Sequence, residues 1–321
     1  TVRVEAAADD GAVPEPLVLA LWVEDTPFTW NDALIYQVMV DRFATADGPV
    51  DDPGAEARGL RHGGDLPGLL RVMELDYFDD LGANALWISP MVDNPDGVWP
   101  GADGHDYEGY HGYWPIDSRG VEPDFGTADD LDALVTEAHR RGIRVLLDVV
   151  PNHVHLEHPT FVDHQDDGWF NGDGDCICGA DDCPWSDHIE TCWFTEYLAD
   201  LDLRDTGIAR MQAGDVAWWI ERFDLDGVRV DAVPMMPRSA TRELVWEIQR
   251  RFERGGADLY VVGETFTGSE GWSSIQRTLG PFGLDGQFDF PVMWTLRDTL
   301  AHGNGSMVDL REAIREREAA W

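Results

Sequence analysis

Three strongly apolar runs in this chain each end in ionisable residues: DVVPNH at 148–153, GVRVDAV at 227–233 and GETF at 263–266. An apolar run of this length reads as a strand buried on both faces of a parallel sheet. Polar groups at its end then lie where strand gives way to loop, which is where a parallel α/β barrel keeps its reactive residues. From Asn31 onward the chain alternates strand and helix. Strands are expected over 33–40, 83–90, 143–150, 226–233, 258–265 and 286–293. Leu131, Leu134, Val135 and Ala138 fall at helical spacing with Gly142 as a stop signal, and further helices are expected over about 208–223 and 238–252. This alternation predicts an α/β fold with a parallel sheet and helices outside, a TIM-type (β/α)8 barrel. Six strands are visible, where closure takes eight.

The same rhythm sets the domain organisation. Residues 31–150 and 206–321 are expected to form the barrel, incomplete at its C-terminal side. Residues 151–205, rich in Asp, Gly, His, Trp and Cys, interrupt it after the third strand. A structureless stretch of that length is uncommon inside a compact domain, so a protruding inserted subdomain is expected. Residues 1–30 hold two strand-like runs around the turn-prone DDGAVPEP. Two strands do not make a stable domain, so this segment is expected to be the edge of an upstream β-module or a linker, or else a strand pair packed on the barrel.

With 62 acidic against 23 basic residues the formal net charge is −39, a field that excludes nucleic acid and anionic membranes as partners. Self-repulsion of that size is relieved by salt, whose screening length falls to about 3 Å at 1 M, so a saline environment is expected. No run of 18 apolar residues is present to span a membrane. A chain that starts at Thr1 is expected to be a processed or excised product.

The motifs, taken together and in order over roughly residues 31–300, resemble the alpha-amylase family of retaining glycosidases and transglycosidases. The resemblance implies that Asp231 is the nucleophile, supported by Arg229, and that Glu264 is the acid/base. The physics agrees: a guanidinium within about 4–6 Å keeps a carboxylate ionised, lowering its pKa by roughly 1–3 units. A general acid instead needs a pKa raised to about 6–7, and retaining enzymes hold their two carboxyl groups roughly 5–5.5 Å apart. In DVVPNH the family pattern gives His153 a sugar-binding role, Asn152 a calcium ligand and Asp148 a supporting, substrate-side carboxylate. LADLD at 198–202 gives Asp200 as a second calcium ligand. YHGYWPID at 110–117 implies that Tyr113 stacks on the sugar, His111 hydrogen-bonds it and Trp114 lines the cleft.

Two departures stand out. Where the family shows a Lys-His pair after the nucleophile, this chain has Pro234-Met235, so that only the backbone carbonyl of Met235 would remain to serve calcium. No NHD-like motif follows Glu264, and the last segment reads as the helix after strand six. The seventh and eighth strands are therefore expected from a C-terminal remainder of the same enzyme, bound separately or continuous with this chain.

What the resemblance implies for function is a secreted enzyme that cleaves α-1,4 bonds of starch-like glucans and carries calcium. The alternatives are an α-glucan transglycosylase on the same scaffold and a non-catalytic glucan-binding or partner protein. In that setting the four cysteines, spaced C-x-C-x4-C-x8-C within the insertion, are expected to form two disulfides, with a closed zinc site as the alternative. Asp173, Asp175, Asp181 and Asp182 around them are expected to form a solvated acidic face.

Overall fold

Six short strands lie side by side in chain order, and each neighbouring pair runs parallel: β1 (Ile35–Val38), β2 (Ala85–Ile88), β3 (Arg144–Val149), β4 (Gly227–Val230), β5 (Tyr260–Gly263) and β6 (Gly286–Gln287). This computed structural model describes residues 2–5, 16–24, 27–50, 57–101 and 103–320. All six residues of β3 are buried, as a central strand covered on both faces requires. Helices α1 (Leu66–Glu74), α2 (Ala128–Arg140), α3 (Thr206–Phe223), α4 (Arg238–Phe252) and the short α5 (Trp272–Gln276) make the crossovers. The result is a curled half-barrel, six strands of the expected (β/α)8 architecture.

Local sequence explains the boundaries. α2 opens on a capping box in which Thr127 and Asp130 each satisfy the other's backbone N–H, and it stops before Gly142, whose φ of 77° suits glycine. The sixth expected strand is much shorter than 286–293. Only Gly286–Gln287 pairs with β5, because Asp289 accepts from the backbone N–H of Val292 and Pro291 fills the first turn of a new helix, α6 (Phe290–Leu296). A proline has no N–H for a ladder but fits a helix start. A last helix, α7 (Met307–Ala320), follows.

The N-terminal strands Val2–Val4 and Leu17–Leu19 pair antiparallel, and Val18 is buried in the main core. Farther along, the Trp22 indole donates to Asp226 at 2.8 Å, and Arg144, the first residue of β3, stacks on Trp22 and Phe28. This segment thus packs under the barrel, at the end of the sheet opposite the motifs. Residues 6–15, with most of the turn between the two strands, lie outside the described residues.

The insertion leaves the sheet after β3 and is closed at its base by an antiparallel pair, His153–His155 with Leu198–Asp200. Within it Cys176 is bonded to Cys183 and Cys178 to Cys192, so all four cysteines are oxidised. The sulfurs of Cys176 and Cys183 lie near His188, but they are bonded to each other and offer no thiolate for zinc. Asp173, Asp175, Asp181 and Asp182 are exposed.

Candidate active site

Strand register brings the motifs together. Asp148 on β3 is level with Arg229 on β4, and Val230 with Gly263 on β5, so Asp231 and Glu264 follow as neighbours. Backbone bonds continue the ladder past the strands: Asp231 N–H donates to Val149, Glu264 N–H to Val230, and Val233 N–H to Glu264. Gly263 gives room for close packing, since a Cβ there would come within 2.4 Å of the Leu284 side chain and 2.9 Å of Val233, and these would have to shift. The residue after Asp231, Ala232, has φ 51°, a left-handed conformation that costs a non-glycine residue about 1 kcal/mol or more.

Arg229 organises the carboxylates. One of its terminal nitrogens, Nη1, reaches Asp148 at 2.8 Å and Asp231 at 2.7 Å, while Nη2 reaches Glu264 at 2.7 Å. Its guanidinium is buried between the rings of Trp87, Tyr113 and Phe288. One cation faces three acids, so the site favours retention of a proton. Burial pushes the Asp148 carboxyl up to about 7, against the pull of Arg229. Burial also raises Asp231, with Arg229 again opposing, and raises Glu264, to which the neighbouring Asp231 charge adds. The Asp231 charge beside it thus adds to burial in favouring the protonated form of Glu264.

The groups around them sort into those that face the cleft and those that support it. Tyr113, His153, Asp231 and Glu264 line a cleft of about 720 Å³. His153 makes a 2.9 Å bond from Nε2 to the Tyr113 carbonyl, which leaves Nδ1 as an acceptor without a protein partner; burial lowers its pKa to about 4, so the ring is neutral. Asp148 is not among the residues that line this cleft. Its carboxylate is only 2% exposed and is taken by Arg229, the Trp87 indole and the Tyr113 hydroxyl at 2.8, 3.1 and 2.7 Å. Trp114 is also turned away from the cleft: its ring packs on His111 and Tyr197, its backbone N–H donates to Asn94, and so large an apolar surface gains more inside. His111 lies between Tyr113 and Trp114, its Nδ1 accepts from the Tyr113 N–H, and burial lowers its pKa to about 3.

The alpha-amylase catalytic-domain family matches residues 37–308. The chain belongs to this family. It is 34% identical over 245 residues to Alpha-amylase 3 of Schizosaccharomyces pombe, covering 74% of this chain and 41% of that protein. It is 28% identical over 313 residues to a cyclomaltodextrin glucanotransferase of a Bacillus species, covering 91% of this chain and 43% of that protein. Among solved structures, the alpha-amylase from Geobacillus thermoleovorans complexed with acarbose superposes with a TM-score of 0.69 at 32% identity, over 85% of this chain and 54% of that one. The chain therefore spans less than half the length of these curated relatives.

A second polar centre lies at the base of the insertion of this alpha-amylase-family chain. The register pairs His153 with Asp200, which puts Asn152 beside Asp200: the Asn152 amide donates to one Asp200 oxygen at 2.9 Å and the Asn171 amide to the other at 2.6 Å. The side-chain oxygen of Asn152 is buried with no partner, and burial pushes the Asp200 carboxyl up to about 8. An unpaired amide oxygen beside a buried carboxylate is a donor set that suits a hard cation. Among the described residues no hydrogen bond joins Met235 to this centre; it lies instead against Cys183 and Cys192.

Sequence reasoning did not single out Trp87, Asn171, Trp185, Phe194 or Phe266. Trp87 had a usable signal, since it lies in an expected strand at the same level as Leu146 of β3. Asn171 had none, because an Asn in a Gly- and Asp-rich loop carries no mark of its burial.

Proposed function

We propose that the site cleaves α-1,4-glucosidic bonds of starch-like glucans with retention of configuration. The observation that supports this best is the Arg229 arrangement, whose two terminal nitrogens meet Asp231 and Glu264 at 2.7 Å each, with burial and the Asp231 charge favouring a proton on Glu264. Glu264 gives that proton to the leaving oxygen while Asp231 bonds to the anomeric carbon; Glu264 then takes a proton from the water that releases the sugar. Tyr113 offers its ring to the sugar, His153 on the same cleft lining contacts it, and His111 supports both. Asp148 and Trp87 orient Arg229.

The reading extends to calcium. Asn152 and Asp200 would hold it, joining both ends of the insertion to the barrel, and a bound cation would keep Asp200 ionised. The backbone carbonyl of Met235 is a weaker candidate ligand. The two disulfides support an oxidising, extracellular location, and the net charge of −39 supports a saline one.

Transfer to a second sugar is the rival reading, favoured by the apolar Pro234-Met235 beside the nucleophile and by the glucanotransferase relative. The intact protein, incubated with soluble starch and a labelled maltose acceptor, should release α-configured products by NMR with little label incorporated. Predominant incorporation would support the transferase, and β-configured products would remove the retaining mechanism. Asp231→Asn and Glu264→Gln should each abolish turnover with folding near normal; activity above a few per cent would reassign the residue.

A further inference from the structure

A second groove lies on the outside of the barrel, along the outer face of α4. Arg238, Arg242 and Trp246 recur there at every fourth residue, so they form one stripe, and Phe282 from the segment before β6 faces the same space. With Ser239 and Glu243 they line a groove of about 480 Å³ that shares no described residue with the active-site cleft. We infer that this groove binds a phosphate-bearing sugar, with the phosphate between Arg238 and Arg242 and the sugar ring against Trp246 and Phe282. The choice of a sugar rests on the proposed glucan reading; the charge and the rings do not.

Charge is the first support. Among the described residues neither Arg238 nor Arg242 has an ion pair or a hydrogen bond, although the chain holds 62 acidic residues against 23 basic ones. Like charges one helical turn apart repel, and an anion between them replaces that repulsion with two forked, charge-assisted contacts. Glu243, which also lines the groove, is engaged by Arg210 at 2.8 Å, so the groove stays positive on a molecule of net charge −39.

Ring surface is the second. Trp246 is 52% and Phe282 69% exposed, where rings of that size gain by being covered. The Arg250 guanidinium lies 5.2 Å from the Trp246 ring centre and helps to hold it. An aromatic face suits the C–H face of a sugar, while the Ser239 hydroxyl and the Glu243 carboxylate can meet its hydroxyls. Placement is the third. Ala240, Thr241, Leu244, Val245 and Ile248 of α4 are buried, which fixes the helix as a platform with the stripe outward. The strand before it, β4, is paired with β3 on one side and β5 on the other, so the stripe stands behind the middle of the sheet and not at an open edge.

Calorimetry on the intact protein at low salt should find glucose 6-phosphate bound about tenfold more tightly than glucose or inorganic phosphate. Arg238→Gln combined with Arg242→Gln should weaken that binding about tenfold, and Trp246→Ala about threefold, while Arg238→Lys with Arg242→Lys restores only part of it. Urea unfolding and turnover of unphosphorylated starch should be unchanged in all of them. Maltotetraose carrying a 6-phosphate distinguishes two sources of the same chemistry: tighter binding than glucose 6-phosphate assigns a phosphorylated glucan, equal binding a free sugar phosphate, and either supports the site. Inorganic phosphate or adenosine monophosphate binding as tightly as glucose 6-phosphate, or affinity that survives the double Gln substitution, would overturn the inference. Starch turnover without sugar-phosphate selectivity would sink this inference alone; selectivity without any starch turnover would sink the proposed function alone.

Discussion

On the barrel wall of the cleft, Asp231 and Glu264 are fixed by parallel register and by one guanidinium shared among three acids. On the opposite wall, Trp185 and Phe194 are fixed by two disulfides and by a strand pair whose base holds Asn152 and Asp200. The first wall is positioned by the same backbone bonds that make the fold. The second has its own anchors, so it can be loosened while the barrel stays intact.

The largest effect should come from the barrel side. Arg229→Gln leaves buried Asp148 and the partly exposed Asp231 and Glu264 without their cation and should cost about 3 kcal/mol of stability, with turnover falling about 10²–10³-fold. Urea unfolding and starch assays would read both, and a folded, active variant would deny Arg229 its organising role. On the other wall, replacing both Cys178 and Cys192 by Ser removes a bridge across 14 residues, worth about 3 kcal/mol. Here the loss should be local: limited proteolysis should cut within 171–195 first, with KM rising more than kcat falls. Equal loss of barrel and insertion would erase the contrast between the two walls.

Exhaustive chelation tests the base of the insertion. A cation at one hundred times its dissociation constant contributes about 2.7 kcal/mol, so the melting temperature should fall by several degrees and recover with added calcium. An unchanged melting curve and no metal by elemental analysis would remove the cation from Asn152 and Asp200.

The smallest effect lies beneath the barrel. Burial, with Asp285 and Asp258 nearby, pushes the Glu253 carboxyl up to about 7. Its folded value lies above the ordinary carboxyl value of about 4.3, so its contribution is complete below that pH and is lost as pH rises through about 7. Glu253→Gln should flatten the decline in melting temperature between pH 4.5 and 7.5. An undiminished slope would assign that pH dependence to Asp148, which is displaced the same way.

The difference between the walls also decides what could be read from sequence. The ends of β3, β4 and β5 were legible because a buried parallel strand writes itself as an unbroken apolar run, and the residue that ends the run is the one at the mouth. FDFPVM misled because its aromatics favour a strand, whereas the Asp289 cap and Pro291 start a helix. That the Trp114 ring packs on His111 and Tyr197 was not legible, because sequence does not say which way a side chain turns. The insertion could be read only as composition. Its disulfides were expected, but four cysteines allow three pairings and only geometry selects among them. Asn171 and Trp185 owe their places to long-range packing that no local pattern records.

The register that seats Glu264 beside Asp231 has a practical consequence. Side chains alternate along a strand, so a slip of β5 by one residue would present Thr265 to the cleft and turn the acid away. Such a molecule could keep nearly all its helices and much of its core while being inert. Specific activity, measured against active-site titration, would therefore count correctly threaded molecules in a refolded sample, a census that circular dichroism cannot take.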